Sequence, residues 1–245
     1  MGTMLAALLL AVTTAGCAAD APGPAAGSDA EPGASTSRPT PGTTTPEVTP
    51  SAPEAGEEAT TAPPRRGPRT ADGRPRQARL SIPAIGLRDL AVVPYRGRPD
   101  DAPGTEIQDG GVAASPHGPR GGVGPGGVGN YLVTAHRTSS TRAFFSLPDL
   151  RRGDRVRVEA GGVRYVYRVV ATRETSFRSE ASRRRQEAAV PGRPGVEPTR
   201  GMITLSTCAT PEDRAAGNYW SDEFGNPEHR IDKIGVLVRS LPLAG

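Results

Sequence analysis

Cysteine is nearly missing from this chain of 245 residues, which holds only Cys17 and Cys208. Two cysteines so far apart exclude a disulfide framework as the organising device, and they exclude a metal site built from cysteine pairs. Histidine is almost as scarce, with three residues. His117, His136 and His229 form no ligand-spaced pair, so neither a metal nor another cofactor is expected. Aromatic residues are 4% of the chain. None comes before Tyr95, so any core lies in the later part and is built mainly from Val, Leu and Ile. Lysine is reduced to Lys233 among 30 basic residues, the rest being arginine. The net charge of +4 is dispersed among acids, apart from Arg183-Arg184-Arg185. No aromatic stacking platform accompanies it, which argues against nucleic-acid binding. Long apolar runs are missing too. The one run, Met4 to Gly16, is about 13 residues, short for a membrane span and right for the core of a signal peptide.

That run ends in Ala15-Gly16-Cys17. Small residues before a cysteine resemble the lipobox of bacterial lipoproteins, in which the cysteine is lipidated. Residues 1–17 are therefore read as a signal peptide with Cys17 as the lipidation site; an uncleaved anchor and ordinary secretion are the alternatives. All three place the protein on the extracytoplasmic side of the membrane. Residues 18–75 are rich in Pro, Thr, Ser, Gly and Ala, too poor in apolar side chains to offset the entropy of ordering them, and read as a disordered linker. The remainder, 76–245, has the size of one domain.

Within that domain the pattern is one of short strands. Residues 78–82 alternate, 91–94 and 131–135 are apolar, and 155–159 and 163–170 alternate on either side of Gly161-Gly162, as in a β-hairpin. Residues 201–205 read as a short strand that leads into Cys208 at its end, and 230–238 form the last. Short helices are expected over 142–150, presenting Phe144, Phe145 and Leu147 to a core, and over 180–189. The glycine run 121–129 reads as a mobile surface loop and 209–229 as a long irregular segment. Many short strands with few helices imply an all-β barrel or sandwich.

Cys208 has no evident disulfide partner once Cys17 is lipidated or removed, and an odd cysteine in an exported protein is a candidate reactive thiol. It stands at a strand end, as His136 does, and Arg230 begins the final strand. Thiol chemistry needs a base or cation to supply thiolate, a proton donor for the leaving group and donors for a developing oxyanion. A single His can serve as acid and base without a carboxylate, because its pKa lies near the working pH. His229, beside Arg230, competes with His136 for that role; His136 is favoured because it ends a strand.

Thr204-Leu205-Ser206-Thr207-Cys208 resembles the TLxTC signature of sortases. Thr134-Ala135-His136-Arg137 resembles their strand-end histidine, with Ala135 where Gly is common, and Arg230 before an Ile/Val strand resembles their catalytic arginine. Leu80-Ser81-Ile82-Pro83-Ala84-Ile85-Gly86-Leu87 and Phe145-Ser146-Leu147-Pro148-Asp149-Leu150-Arg151-Arg152-Gly153-Asp154 resemble two further family segments. The order is that of the family, and the flavour is that of the actinobacterial classes E and F. The resemblance implies an all-β, eight-stranded β-barrel with one or two short helices. It implies a monomeric cell-surface cysteine transpeptidase that cleaves an LPxTG-like sorting signal on surface proteins and passes it to an amine acceptor of cell-wall-precursor or pilin type. Cys208 would be the nucleophile, His136 the acid and base, Arg230 the oxyanion or backbone holder, and Thr207 a substrate contact. A hydrolytic variant and a non-catalytic peptide-binding envelope lipoprotein are the alternatives.

Overall fold

A computed structural model describes residues 69–243. Cys17, the signal peptide and most of the linker lie outside the described residues. Strand β1 (Ala78–Ile82) buries Ala78, Leu80 and Ile82 and turns Arg79 outward. β5 (Arg155–Ala160) does the same with Val156, Val158 and Ala160. This period of two is what a sheet with one face on a core requires. Gly161 and Gly162 take φ of +56° and +74° between β5 and β6 (Val163–Ser176). Only glycine adopts two successive positive φ values without strain, and the tight hairpin turn needs them.

β2 (Leu87–Arg96), β3 (Ala113–His117), β4 (Gly129–Thr134), β7 (Gly201–Cys208) and β8 (His229–Pro242) complete the sheet. It closes on itself in the order β1-β2-β3-β4-β7-β8-β6-β5, with β5 back on β1. Closure removes the unpaired edges that an open sheet would expose. The pairs β2/β3 and β4/β7 are parallel and the others antiparallel. Tyr131, Val133, Tyr167, Ile203 and Leu205 fill the interior with Leu80, Ile82 and Leu147. All six residues of β4 are buried, as expected where a parallel strand is covered on both faces. Among the described residues no helix is long and apolar enough to cross a membrane.

The barrel is the expected one; the helices number three among the described residues. The sequence pattern marks no element at α1 (Ala102–Asp109), α3 (Thr210–Ala215) stands in the segment read as irregular, and α2 (Glu180–Glu187) matches its expectation. No α-helix forms over 142–150. Only a 3-10 turn at Leu147–Asp149 does; Pro148 inside the run offers no backbone N–H to an α-helix, and Arg142 at its start takes positive φ. Phe144 and Leu147 still reach the core, but Phe145 is half exposed beneath the Arg142 guanidinium, 4.1 Å from its ring centre.

The glycine run is not a mobile surface loop. Residues 124–127 are buried, and the Gly126 N–H donates to Tyr167 Oη at 2.7 Å. The end of the linker segment lies on this run: Ala71 N–H donates to Gly126 O at 2.8 Å, and Gly124 N–H to Gly73 O at 2.7 Å. Without side chains the two backbones approach too closely for a Cβ at Gly124 or Gly127. The glycines here serve close packing rather than freedom.

Candidate active site

Three neighbouring strands, β4-β7-β8, set the geometry. β7 alternates, sending Ile203 and Leu205 into the core and Thr204 and Ser206 to the outer face, beneath α2. Cys208 continues that outer row. In the parallel register Thr134 pairs with Ser206, so His136 and Cys208 each come two residues later at the same end. In the antiparallel register Cys208 pairs directly with Arg230. The thiol therefore sits between the histidine and arginine segments.

The Arg230 side chain is wholly buried. Its Nε donates to Asp100 Oδ2 at 2.6 Å and Nη1 to Pro227 O at 2.6 Å, while the guanidinium carbon lies 3.9 Å over the Phe177 ring. Nη2 is buried with no partner among the described residues. His136 has only 12% of its side chain exposed, and its Nε2 lies 2.8 Å from Oδ1 of Asp109, the 65%-exposed last residue of α1. Arg137 turns the other way, reaching Cys208 O at 3.4 Å and gripping Glu212 with both terminal nitrogens.

Cys208 is free and partly exposed. Burial pushes its thiol up to about 11; Arg230 and Arg137 pull it down, while Asp100 and Asp222 push it further up. The thiol is thus protonated near neutral pH, and any nucleophilic role for it requires a base. Thr207 is buried, and its hydroxyl donates to Ala135 O at 2.8 Å. That bond ties β7 to the residue that follows β4.

His229 does not share the His136 setting. Its Nδ1 lies 2.6 Å from Asp213 Oδ1, with Glu174 and Glu228 within 4 Å of Nε2. Burial works to lower its pKa, but Asp213, Glu174 and Glu228 outweigh it and hold the ring above its ordinary value. Three carboxylates around one ring favour its protonated form, which cannot take a proton from a thiol.

Beneath the site runs a buried polar network. Asp232 accepts from Gln186 Nε2 at 2.8 Å and from Thr175 Oγ1 at 2.6 Å, and Gln186 Nε2 also donates to Ser206 Oγ at 3.0 Å. Burial raises the Asp232 carboxyl to about 6, against the pull of these hydrogen bonds and of Arg230. Beside Arg230 opens a cleft of about 190 Å³, lined by Asp100, Phe177, Arg183, Asp222 and Phe224 among others. Larger hollows of about 450 and 520 Å³ include neither Cys208, His136 nor Arg230. Among the described residues no cluster of His, Cys, Asp and Glu could hold a metal ion.

A family model for the sortase domain matches residues 80–220, more than half of the chain. The chain belongs to the sortase family. Sortases act as transpeptidases at the cell surface, and the matched segment holds His136 and Cys208 but stops before Arg230. Among solved structures, the SrtA sortase from Actinomyces oris is 22% identical, with a TM-score of 0.51 over 75% of this chain and 89% of that one. Sortase E1 from Streptomyces coelicolor is 24% identical, with a TM-score of 0.49 over 71% and 94%. At these identities the likeness concerns the fold. A comparison with curated proteins finds no match.

In this sortase the residues that sequence reasoning passed over are carboxylates: Asp100 on Arg230, Asp109 on His136 and Asp232 below. A lone histidine without a carboxylate was expected, and the structure supplies Asp109. Only one local signal pointed there. Asp101 followed by Ala102-Pro103 is an N-cap with proline in the first turn, the start of a helix.

Proposed function

We propose that this sortase is a cysteine transpeptidase of class E or F type. It cleaves an LPxTG-like sorting signal at the extracytoplasmic face of the membrane and joins the new acyl end to an amine acceptor of cell-wall-precursor or pilin type. The observation that carries this reading is the single row across β4, β7 and β8 that brings His136, Cys208 and Arg230 to one end of the barrel. The Cys208 thiol gives its proton to His136 as Sγ attacks the carbonyl of the signal threonine, and Arg230 faces the oxyanion. Collapse breaks the Thr–Gly bond, and the His136 imidazolium protonates the departing glycine amine. The thioester remains on Cys208. An incoming amine then loses a proton to His136 as it attacks, and the proton returns to Sγ when the thioester breaks. Thr207, next to the nucleophile, is the substrate contact. The protein is a monomer, held to the membrane through lipidated Cys17.

The purified protein incubated with an LPxTG-type peptide, with and without a glycine-type amine, tests the reaction by product mass. The amine adduct is expected when amine is present, and Cys208→Ala yields none. Free acid alone in the presence of a competent amine would make the enzyme a hydrolase. Turnover by Cys208→Ala would remove Cys208 from the chemistry altogether.

A further inference from the structure

Helix α1 touches both flanks of Cys208. On its N-terminal side, Asp100 meets Arg230 through Oδ2 and accepts from Gln108 Nε2 through Oδ1 at 3.0 Å. Gln108 is a buried residue of α1 itself, and its amide also reaches Gly104 O at 3.2 Å. Asp101 fixes the helix start, accepting from Gly104 N–H at 3.1 Å and from Arg98 N–H at 3.0 Å. Asp100 itself takes φ of +55°, a left-handed conformation that persists in a non-glycine residue only where its surroundings over-determine it. At the other end Asp109 meets His136. Ser140 Oγ donates to Asp109 O at 3.0 Å and Thr141 Oγ1 to Gly111 O at 3.1 Å, fastening the segment after His136 to the same end of the helix.

We propose that α1 is a brace for the reacting groups, with Asp100 positioning Arg230 and Asp109 positioning His136 in the acyl transfer proposed above, on which this inference rests. Every guanidinium nitrogen but one is spoken for: Nε by Asp100, Nη1 by Pro227 O, and the face by Phe177. Of these nitrogens Nη2 alone is buried without an acceptor among the described residues. An unpaired desolvated donor is costly, and an oxyanion arriving at that nitrogen supplies what it lacks. The planar fork can offer Nη2 in one direction only while Nε is held, and Asp100 does the holding. The His136 side gains orientation from Asp109, as a base gains from a third group that fixes its ring.

The two effects of Asp100 oppose each other, which makes the inference testable. Its charge disfavours the Cys208 thiolate, while its contact orders Arg230. Full-length protein and the variants Asp100→Asn, Gln108→Ala and Asp109→Asn are compared in two assays. The first is iodoacetamide alkylation of Cys208 at about pH 8, resolved from Cys17 by peptide mass. The second is transpeptidation of the LPxTG-type peptide. Asp100→Asn is expected to alkylate severalfold faster yet lose kcat by about tenfold or more with little change in KM. Gln108→Ala keeps the charge and loosens its support, so kcat falls without faster alkylation. Asp109→Asn lowers kcat by severalfold and leaves alkylation no faster.

Unchanged or raised kcat in Asp100→Asn overturns the brace and makes Asp100 a latch that restrains Arg230. Unchanged kcat in Asp109→Asn overturns the His136 half. Should the wild-type protein fail to acylate with any such peptide, the transpeptidase reading falls. The alkylation assay then decides alone, and an unchanged rate in Asp100→Asn overturns the coupling of Asp100 to the thiol.

Discussion

The two flanks of Cys208 are built on different plans. On one side Arg230 is sealed, its side chain at 0% exposure and its partner Asp100 at 6%. On the other, His136 is partly open and leans on a carboxylate that is mostly in water. Both residues stand at the ends of the strands that flank the Cys208 strand, so the sheet alone does not explain the difference. The chemistry proposed for each does. A group that stabilises one charge in one place gains from immobility, because it then costs no reorganisation when the charge appears. A group that takes a proton from a thiol, gives it to one amine and receives it from another must meet several partners. Sealing the arginine side carries a cost, since each buried charge needs a full set of partners and removing one leaves the other stranded.

That cost predicts the largest effect. Arg230→Ala leaves the buried Asp100 without its counter-charge, with Gln108 still donating to it, and should lower stability by about 3–5 kcal/mol in denaturant titration. Activity should fall by about a hundredfold or more, because the proposed oxyanion donor is lost as well. A loss below about 1 kcal/mol, the range of exposed pairs, would mean that the arginine flank is no more locked than the histidine flank.

Asp232 extends the buried flank, two residues along β8 from Arg230. Its carboxyl is raised to about 6 in the fold, from an ordinary 3.8. A raised carboxyl stabilises the fold fully only below its unfolded pKa, and that contribution is lost as pH rises through the folded one. Between about pH 4 and pH 6 the unfolded chain ionises first, which weakens the fold by up to about 3 kcal/mol. Asp232→Asn keeps the shape without the charge. Its stability relative to wild type should therefore improve as pH rises across that window. A constant difference at pH values below and above it would show that the network of Gln186, Thr175 and Ser206 already supports the ionised form.

The contrast also shows what could be read from residue order. The row of strand ends was legible, because a period of two, a Gly-Gly turn and the Thr204–Cys208 segment are local patterns. The braces were not. Asp100 and Arg230 are 130 positions apart, and nothing local to either announces the other. Glycine and proline on both sides obscured the start of α1 at Asp101-Ala102-Pro103. The glycines at 124–127 misled for a related reason. Glycine permits both freedom and close approach, and only residues 71–73, arriving from the linker end, decide for the second.

A milder test of the sealed side is Phe177→Leu. It keeps apolar bulk but removes the ring face under the guanidinium, worth about 1–2 kcal/mol for a partly desolvated cation–π contact. The effect should appear in stability and in kcat together, since the same side chain would be loosened in both. A change in stability alone would separate Phe177 from the positioning of Arg230.

The smallest effect belongs to the open side. Glu212 is about half exposed (48%) and grips Arg137, whose Nη1 reaches the Cys208 carbonyl. The hydrogen bond from Arg137 is the main cause that holds the Glu212 carboxyl below its ordinary value. A depressed carboxyl adds stability above its unfolded pKa and loses it as pH falls through the folded one. Glu212→Gln should therefore cost about 0.5–1 kcal/mol near neutral pH, the discounted worth of a half-exposed pair. That cost should shrink once the solution drops below the ordinary glutamate range of about 4.3, and added salt should shrink it too. The Asp232→Asn difference, protected by burial, should be less sensitive to salt. If the two variants respond alike to salt, the two sides of Cys208 differ in packing but not in their electrostatic surroundings.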